Sequence, residues 1–505
     1  MITWSSSNFK EILPDRVSEF TNSLVPNVFN NALHQQYRAC GIDLPQELFP
    51  LVDAFSYKLY MNISALECIT STIWKQPPEK LTEMMGGHSV AADTKPYAGL
   101  VIKPPPLVVL RALWVGVLAL RRQRKAWRGA RSNPDIDKAV TSLQEHIRDH
   151  LLVGVIASAL HGTAGDLLDK LCTGKGIAPH ALLRTPTQAP NIQRQKAWEA
   201  LISRARTDTD PDVLKGSVDR FLQDFGHRRV YEMEVALPRP SENPDVFLEG
   251  LRQTAAQKNA SRTTSRQAGE DTENLTPFSI FGRIAVRLLS GLSIFAQTAR
   301  ERSKAVLAKD ADQLRQALLA FGRAHKHAGL HRAEDVFLLR WEELRAMRSG
   351  DLPDMRVIIA ARKRKPPPTP PQDTFVQKAD GNLQPAAPGQ TNTLRGTPVS
   401  TGSVSGSVRV ILSHADASRI QDGDIVVVHA LDSGWSEVFA FAAGVIAETG
   451  GTMSHAAILL RENNIPAIFN VVGTTKHLTD GDIVQLDGRT GVIAKSSDHP
   501  KGDRS

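Results

Sequence analysis

The segment from Glu448 to Ile468 reads ETGGTMSHAAILLRENNIPAI and places Gly450, Gly451, Thr452 and Ser454 directly before His455. Paired glycines permit unusual backbone angles and let a ligand or a second backbone come close. Ser454 or Thr452 suits the cap of a helix that begins at His455. A histidine in a first helical turn meets unpaired N–H groups and the positive end of the helix dipole. That environment disfavours imidazolium, leaves the ring nucleophilic, and stabilises the oxygens of a phosphoryl group placed on it. The same pattern also fits a capping histidine at a strand-to-helix turn, and the local chemistry leaves both readings open.

The elements around this segment read as a compact α/β unit. Short β-branched runs occupy Ser407 to Leu412, Asp424 to His429, Gly444 to Glu448, Ala467 to Val471 and Asp482 to Leu486, with a helix over His455 to Glu462 between two of them. Gly423–Asp424 and Gly481–Asp482 supply turn chemistry before strands. The first 365 residues look mainly helical instead. Apolar residues recur at helical spacing over Leu151 to Leu171, Phe281 to Leu307 and Ala311 to Arg348. Gln253 to Asn274 is polar and reads as a long loop. The stretch 366–394, opening on Pro366 to Pro371, reads as a Pro-rich flexible linker able to carry its flanking domains tens of ångströms at about 3 Å per extended residue. The expected organisation is a helical domain over 1–365, that linker, and an α/β domain over 395–505.

The 505 residues carry a net charge of +8, too mild to demand nucleic acid. Three cysteines, Cys40, Cys68 and Cys172, show no metal or disulfide spacing and suit a reducing compartment. Polar residues at Ser5 to Asn8 argue against a signal peptide, and Leu107 to Leu120 is too short to span a bilayer. A soluble, cytoplasmic protein is expected. Arg121 to Arg131 is a basic run that reads as a solvated helix end or, if functional, as a docking surface for an acidic subunit.

The histidine segment resembles the phosphohistidine signature of the swivelling domain in phosphoenolpyruvate-utilising enzymes. Thr449, Gly450, Gly451, Ser454, His455, Ala456, Ala457, Ile458, Arg461, Glu462, Ile465, Pro466 and Ala467 carry the resemblance. It extends over nearly all of 395–495 and implies that His455 is the phosphoryl carrier. Upstream, Trp4 to Pro14, Tyr57 to Leu66, Phe225 to Arg239 and Glu334 to Leu344 are similar to the substrate domain of rifampicin phosphotransferases. By that likeness His227, Arg228 and Glu232 are candidates for the acceptor site: His227 as base, Arg228 as phosphoryl clamp, Glu232 as orienting group. Buried hydrogen bonding and a surface ion pair are their plain structural alternatives. Asn62, Arg300 and Glu301 are weaker substrate candidates, since an Arg–Glu pair on a helix is usually solvated.

The resemblance implies a mainly α-helical substrate-binding domain followed by a swivelling phosphohistidine domain. No ATP-binding module is recognised before Trp4 and no pyruvate-binding barrel after the signature. The expected arrangement is that of a split phenylphosphate synthase, in which a separate ATP-grasp subunit supplies ATP and Mg2+ and this chain binds neither alone. ATP would yield AMP and phosphate, and the carrier histidine would pass its phosphoryl group to an aromatic hydroxyl. A rifampicin-type antibiotic phosphotransferase with a split ATP module, an acid-activating ligase and a non-catalytic phosphocarrier are the alternatives. No metal site is expected on this chain.

Overall fold

The computed structural model describes residues 1–6, 9, 12–74, 97, 108–128, 135–173, 188–207, 210–229, 231–256, 278–350, 355–364, 368–371, 374–385, 394–411, 419–431, 442–450, 455–471 and 473–495. The chain opens on β1 (Ile2–Ser5), followed by α1 (Glu19–Ala39), the hairpin of β2 (Val52–Phe55) and β3 (Lys58–Asn62), and α2 (Ile63–Ile69). Then come α3 (Val108–Arg128), α4 (Ile136–Cys172), α5 (Pro190–Thr207), α6 (Pro211–Phe225), α7 (Pro244–Ala256), α8 (Ile280–Ala324), α9 (Trp341–Ser349) and α10 (Met355–Arg364).

Local chemistry sets the helix starts. The Ser18 side chain accepts from Thr21 N at 3.2 Å to cap α1. Asp210 caps α6 with Pro211 behind it, and Ser279 accepts from Gly282 N to start α8. The main core gathers apolar faces of α1, α4 and the C-terminal half of α8, among them Phe20, Leu24, Ile147, Leu314 and Leu318. α8 is 45 residues long, and an 18-residue window of it is long and apolar enough to cross a membrane by composition. Its N-terminal half leaves Phe281 at 83% exposure, together with exposed Ile284, Leu288 and Phe295.

Two expectations are corrected here. The helical periodicity over 311–348 does not form one helix. α8 ends at Ala324, Gly329 turns the chain at φ 98°, 3-10 turns cover Lys326–Ala328 and Ala333–Leu338, and α9 follows. Glycine alone takes that left-handed turn without strain. The stretch 366–394 is also not linker throughout. It contains β4 (Thr374–Gln377) and β5 (Leu383–Pro385), and β4 pairs antiparallel with β1. The resulting sheet runs β2-β3-β1-β4-β5. Phe375 explains the pairing: it is buried with Trp4 and Tyr60, its ring 4.9 Å from Tyr60 and 5.1 Å from Phe55 in edge contacts. The Tyr60 hydroxyl also donates to Pro371 O at 2.8 Å.

The C-terminal strands are β6 (Leu394–Arg395), β7 (Thr397–Ser400), β8 (Ser403–Ile411), β9 (Ile425–Ala430), β10 (Gly444–Thr449), β11 (Ala467–Phe469), β12 (Ile483–Asp487) and β13 (Val492–Lys495). Helices α11 (His455–Glu462) and α12 (Thr474–His477) complete the domain. The sheet order is β6-β13-β12-β8-β9-β10-β11-β7, and β8, β9, β10 and β11 run parallel. Parallel strands covered on both faces read as unbroken apolar runs, which accounts for the sequence DIVVVH. Val426 and Val428 face one core with α11, while Ile425 and Val427 face a second core with β12 and β13. Gly423 and Gly481 take φ of 94° and 89°, as their turns require.

Candidate phosphohistidine site and the face it meets

β10 delivers the chain to Gly450, and α11 begins at His455. Residues Gly451, Thr452 and Ser454 lie outside the described residues, as does the His455 imidazole. Gly450 is needed for close packing, because a Cβ there would stand 2.6 Å from Phe469 Cδ2. Its N–H donates to Asn470 Oδ1 at 3.1 Å, and Asn470 adopts φ 61°. Behind the loop, α11 buries Ala456, Ala457 and Leu460, and Arg461 Nε donates to Val399 O at 2.7 Å. The helix N-terminus is therefore held from below.

Glu448 anchors the loop from the other sheet face. His429 Nδ1 lies 2.5 Å from one carboxylate oxygen, while the other accepts from Thr475 N at 2.8 Å and Thr475 Oγ1 at 2.6 Å. Burial pushes the Glu448 carboxyl up, but the bonds from His429 and Thr475 outweigh it and hold the group below the ordinary carboxylate range. His429 and Glu448 were not singled out in the sequence. Their positions on adjacent parallel strands were the available signal.

The helical domain reaches the signature helix through the start of α5. Ala189 and Ile192 are buried in the same cluster as Ala456, Ala457 and Leu460. Asn191, between them, donates to Glu301 Oε2 on α8 at 3.0 Å. Two residues further along α8, Ser303 Oγ lies 2.9 Å from His150 Nδ1 on α4. Burial first, then Lys304 and Arg300, push the His150 ring down to about 3, with Glu301 opposing them. Below this, Ser142 and His146 share Asp310, at 3.0 and 2.7 Å. Burial acts to lower His146, yet the Asp310 carboxylate wins and holds the ring above its ordinary value. A line of polar groups thus runs along the α4/α8 contact and ends beside the docked signature helix. Arg300 and Glu301 are part of it. His150, Asn191 and Lys304 were missed, although polar residues at three- and four-residue spacing on apolar helices were legible.

The other candidates stand elsewhere. His227 is 1% exposed, and Arg228 is ion-paired with Glu232 in the turn that follows α6. Arg239 donates to Glu232 O at 2.9 Å, and Arg315 makes a two-point pair with Glu242 at 2.6 and 2.7 Å. Arg315 lies about 22 Å along α8 from Arg300, at 1.5 Å per residue. His227, Arg228 and Glu232 thus lie in the turn after α6, while Arg300 and Glu301 lie on α8. Asn62 sits at the start of α2. It caps α2 by accepting from Ala65 N at 2.9 Å and donates to Tyr97 Oη at 2.8 Å and Pro50 O at 3.2 Å. These bonds use both amide hydrogens and one lone pair of Oδ1, which gives Asn62 a structural role.

Within the basic run, Arg122 binds Asp149 through two contacts of 2.6 Å, and Lys309 stacks 4.0 Å over Trp127. Arg121, Arg124 and Lys125 are exposed, and residues 129–131 lie outside the description. No group of three or more His, Cys, Asp or Glu residues suited to a metal occurs among the described residues.

Residues 420–491 match the mobile domain of PEP-utilising enzymes. The prodigiosin synthesizing transferase PigC of Serratia marcescens is 27% identical over 327 residues, covering 60% of this chain and 37% of its own length. A rifampicin phosphotransferase of Streptomyces sviceus is 30% identical over 303 residues, 55% of this chain and 34% of that protein. An uncharacterised Mycobacterium tuberculosis protein is 25% identical over 552 aligned positions, 97% of this chain and 61% of its own. The chain therefore spans between about a third and three fifths of these relatives.

Proposed function

We propose that this chain, whose residues 420–491 match the mobile domain of PEP-utilising enzymes, is an ATP-dependent phosphotransferase working through a phosphohistidine at His455. In this reading ATP, with Mg2+, is bound on an ATP-grasp subunit. The β-phosphoryl group reaches His455, phosphate and AMP leave, and the mobile domain returns to the helical domain to charge a hydroxyl. The reaction is soluble and cytoplasmic. The observation that supports the second half is the burial of Ala189 and Ile192 in one cluster with Ala456, Ala457 and Leu460 of α11, with Asn191 between them donating to Glu301, the neighbour of Arg300. Arg300 and Lys304, two cations at i and i+4 on one helix, suit a phosphoryl group in flight, whose charge must be neutralised by preorganised partners.

The acceptor proposed is an aromatic hydroxyl. An antibiotic-type acceptor with a large apolar body is the second reading. It is favoured by exposed Leu292 and Phe295, which precede Arg300 on α8 by one to two turns. The test is intact-mass measurement after incubation with ATP, Mg2+ and an ATP-grasp partner. An acid-labile phosphoryl adduct is expected on the parent protein and none on His455→Ala, with AMP and phosphate in equal amounts once acceptor is added. ADP as the main product contradicts the histidine relay, and charging without transfer to any hydroxyl leaves a phosphocarrier.

A further inference from the structure

We propose that the end of the helical domain formed by α3 and the first half of α8 is a docking surface for a membrane rich in anionic phospholipid, which the chain reaches from solution and leaves again. The inference goes beyond the phosphotransferase reading and does not depend on it. Packing sets the two helices side by side. Val115 and Ala119 of α3 share a cluster with Leu152 and Val153 of α4 and Ala299 of α8, and Lys309 of α8 stacks 4.0 Å over Trp127 of α3. α4 runs antiparallel to both. Its Asp149 meets Arg122, and its Ser142 and His150 meet Asp310 and Ser303, while Leu168 shares a cluster with Phe278 and Val286. α3 and α8 are therefore parallel, and their N-terminal halves lie at one end. Leu110 lies as far before Trp127 as Leu292 lies before Lys309, so those two leucines stand level.

At that end both helices turn apolar side chains outward. Leu110, Leu113, Trp114 and Val117 recur at helical spacing on the outer face of α3, opposite buried Ala112, Ala119 and Gln123, and Trp114 is 62% exposed. On α8, Phe281, Ile284 and Leu288 form an exposed stripe at three- and four-residue spacing. An 18-residue window of α8 has the composition of a membrane span, yet only 22% of it is buried, so the role of a core helix does not account for it. An apolar stripe left open on two neighbouring helices marks an interaction site.

The charge around the stripes points to the partner. α3 carries six Lys or Arg residues and no Asp or Glu, and residues 280–300 carry three and none. Arg111, Arg283 and Arg287 stand exposed among the apolar residues, and the outer face of α3 continues from Val117 into exposed Arg121, Arg124 and Lys125. Against these the second half of α4 sets Asp166 and Asp169, beside Lys170. A second copy of the chain would bring cation against cation, which disfavours it. The complement is apolar within and anionic at its rim, the profile of a bilayer that holds acidic lipids. Trp114 and Phe281 favour lipid over an acidic protein, since such aromatic side chains settle into the headgroup boundary. From Trp114 to Arg124 the helix rises about 15 Å. An oblique approach then sets Trp114 and Phe281 about 5–10 Å into that boundary while Arg121, Arg124 and Lys125 stay at the lipid phosphates.

The test mixes full-length protein with vesicles of phosphatidylcholine alone and of an equal mixture with phosphatidylglycerol, at low and at high salt. Cosedimentation is expected with the mixed vesicles at low salt, and little with neutral vesicles or at high salt. Arg121→Gln, Arg124→Gln and Lys125→Gln together should weaken binding about 100-fold, at roughly fivefold for each cation. Phe281→Ser with Leu288→Ser should abolish it. Both variants change exposed residues and should melt within about two degrees of the parent. In the parent, brominated lipid should quench Trp114, read as the difference from Trp114→Phe. Failure of the parent to bind mixed vesicles overturns the proposal, as does parent-like binding by either folded variant or a vesicle-bound parent whose Trp114 is not quenched. A dimer that dissociates in Phe281→Ser with Leu288→Ser, without vesicle binding, gives the surface to a second copy and overturns it too. Salt-sensitive binding of an ATP-grasp partner that both variants lose, again without vesicle binding, gives it to an acidic protein with the same consequence.

Discussion

Ile192 offers the sharpest probe of the docked arrangement. It is 6% exposed and shares its cluster with Ala456, Ala457 and Leu460 of the mobile domain. Replacing it by alanine removes three carbon groups from that contact. At about 0.8 kcal/mol per buried methylene-sized group, the docked state loses roughly 2.4 kcal/mol. With a factor of ten for each ~1.4 kcal/mol, its population relative to the undocked state falls about 50-fold. Transfer to the acceptor needs docking, so its rate should fall by up to that factor. In the proposed relay His455 is charged away from this face, so charging should be unchanged. Single-turnover discharge of phosphoramidate-charged protein measures the first, and ATP-driven charging with the ATP-grasp partner measures the second. The helical domain should melt within about a degree of the parent. Equal loss in both half-reactions would show that α5 serves the fold or the partner; no loss in either would show that this contact plays no part in transfer.

Other substitutions address the signature directly. His455→Ala should abolish phosphoryl transfer, since a covalent relay has no substitute nucleophile, while circular dichroism stays unchanged. Gly450→Ala puts a methyl group 2.6 Å from the Phe469 ring, and should lower mobile-domain stability by about 1–3 kcal/mol in urea melts. A parent-like midpoint would mean that the loop yields freely. Glu448 predicts a pH dependence: its carboxyl is held low in the fold, so its stabilisation is complete above the unfolded value of about 4.3 and is lost as pH falls through the folded value. Melting temperature should drop on acidification from pH 6 to pH 3, and Glu448→Gln should be less stable at pH 6 with a shallower drop. An equal slope in both proteins would remove Glu448 as the cause.

What the sequence discloses is governed by how local the causes are. The bounds His455 to Glu462 for α11 follow from a few adjacent residues, a glycine pair before and a turn after, and the helix has those bounds. The parallel strands follow from unbroken β-branched runs. β4 did not declare itself, because four residues of alternating character sit among prolines and glycines, and their partner β1 lies at the opposite end of the chain. The polar line of Ser142, His146, His150, Ser303 and Asp310 is likewise invisible locally. It exists only because α4 and α8 pack antiparallel, so residues more than 150 positions apart share one contact. Asn62 lies at the legible end, since a short polar residue before an apolar helical run is also a cap, and it caps α2.

In the proposed relay, the pairing of β4 with β1 sets the radius open to the mobile domain. With β5 ending at Pro385 and β6 starting at Leu394, about eight residues join the two bodies, and a chain of that length spans no more than about 30 Å. On that reading the phosphorylated domain would behave like a weight on a short cord, and its local concentration at the acceptor face would be high enough for weak docking to suffice. An ATP site beyond that radius can be served in only two ways. Either the protein that holds ATP would bring it inward, or the β4–β5 hairpin would peel from β1 and let out more cord, at the cost of exposing Phe375 and its aromatic neighbours.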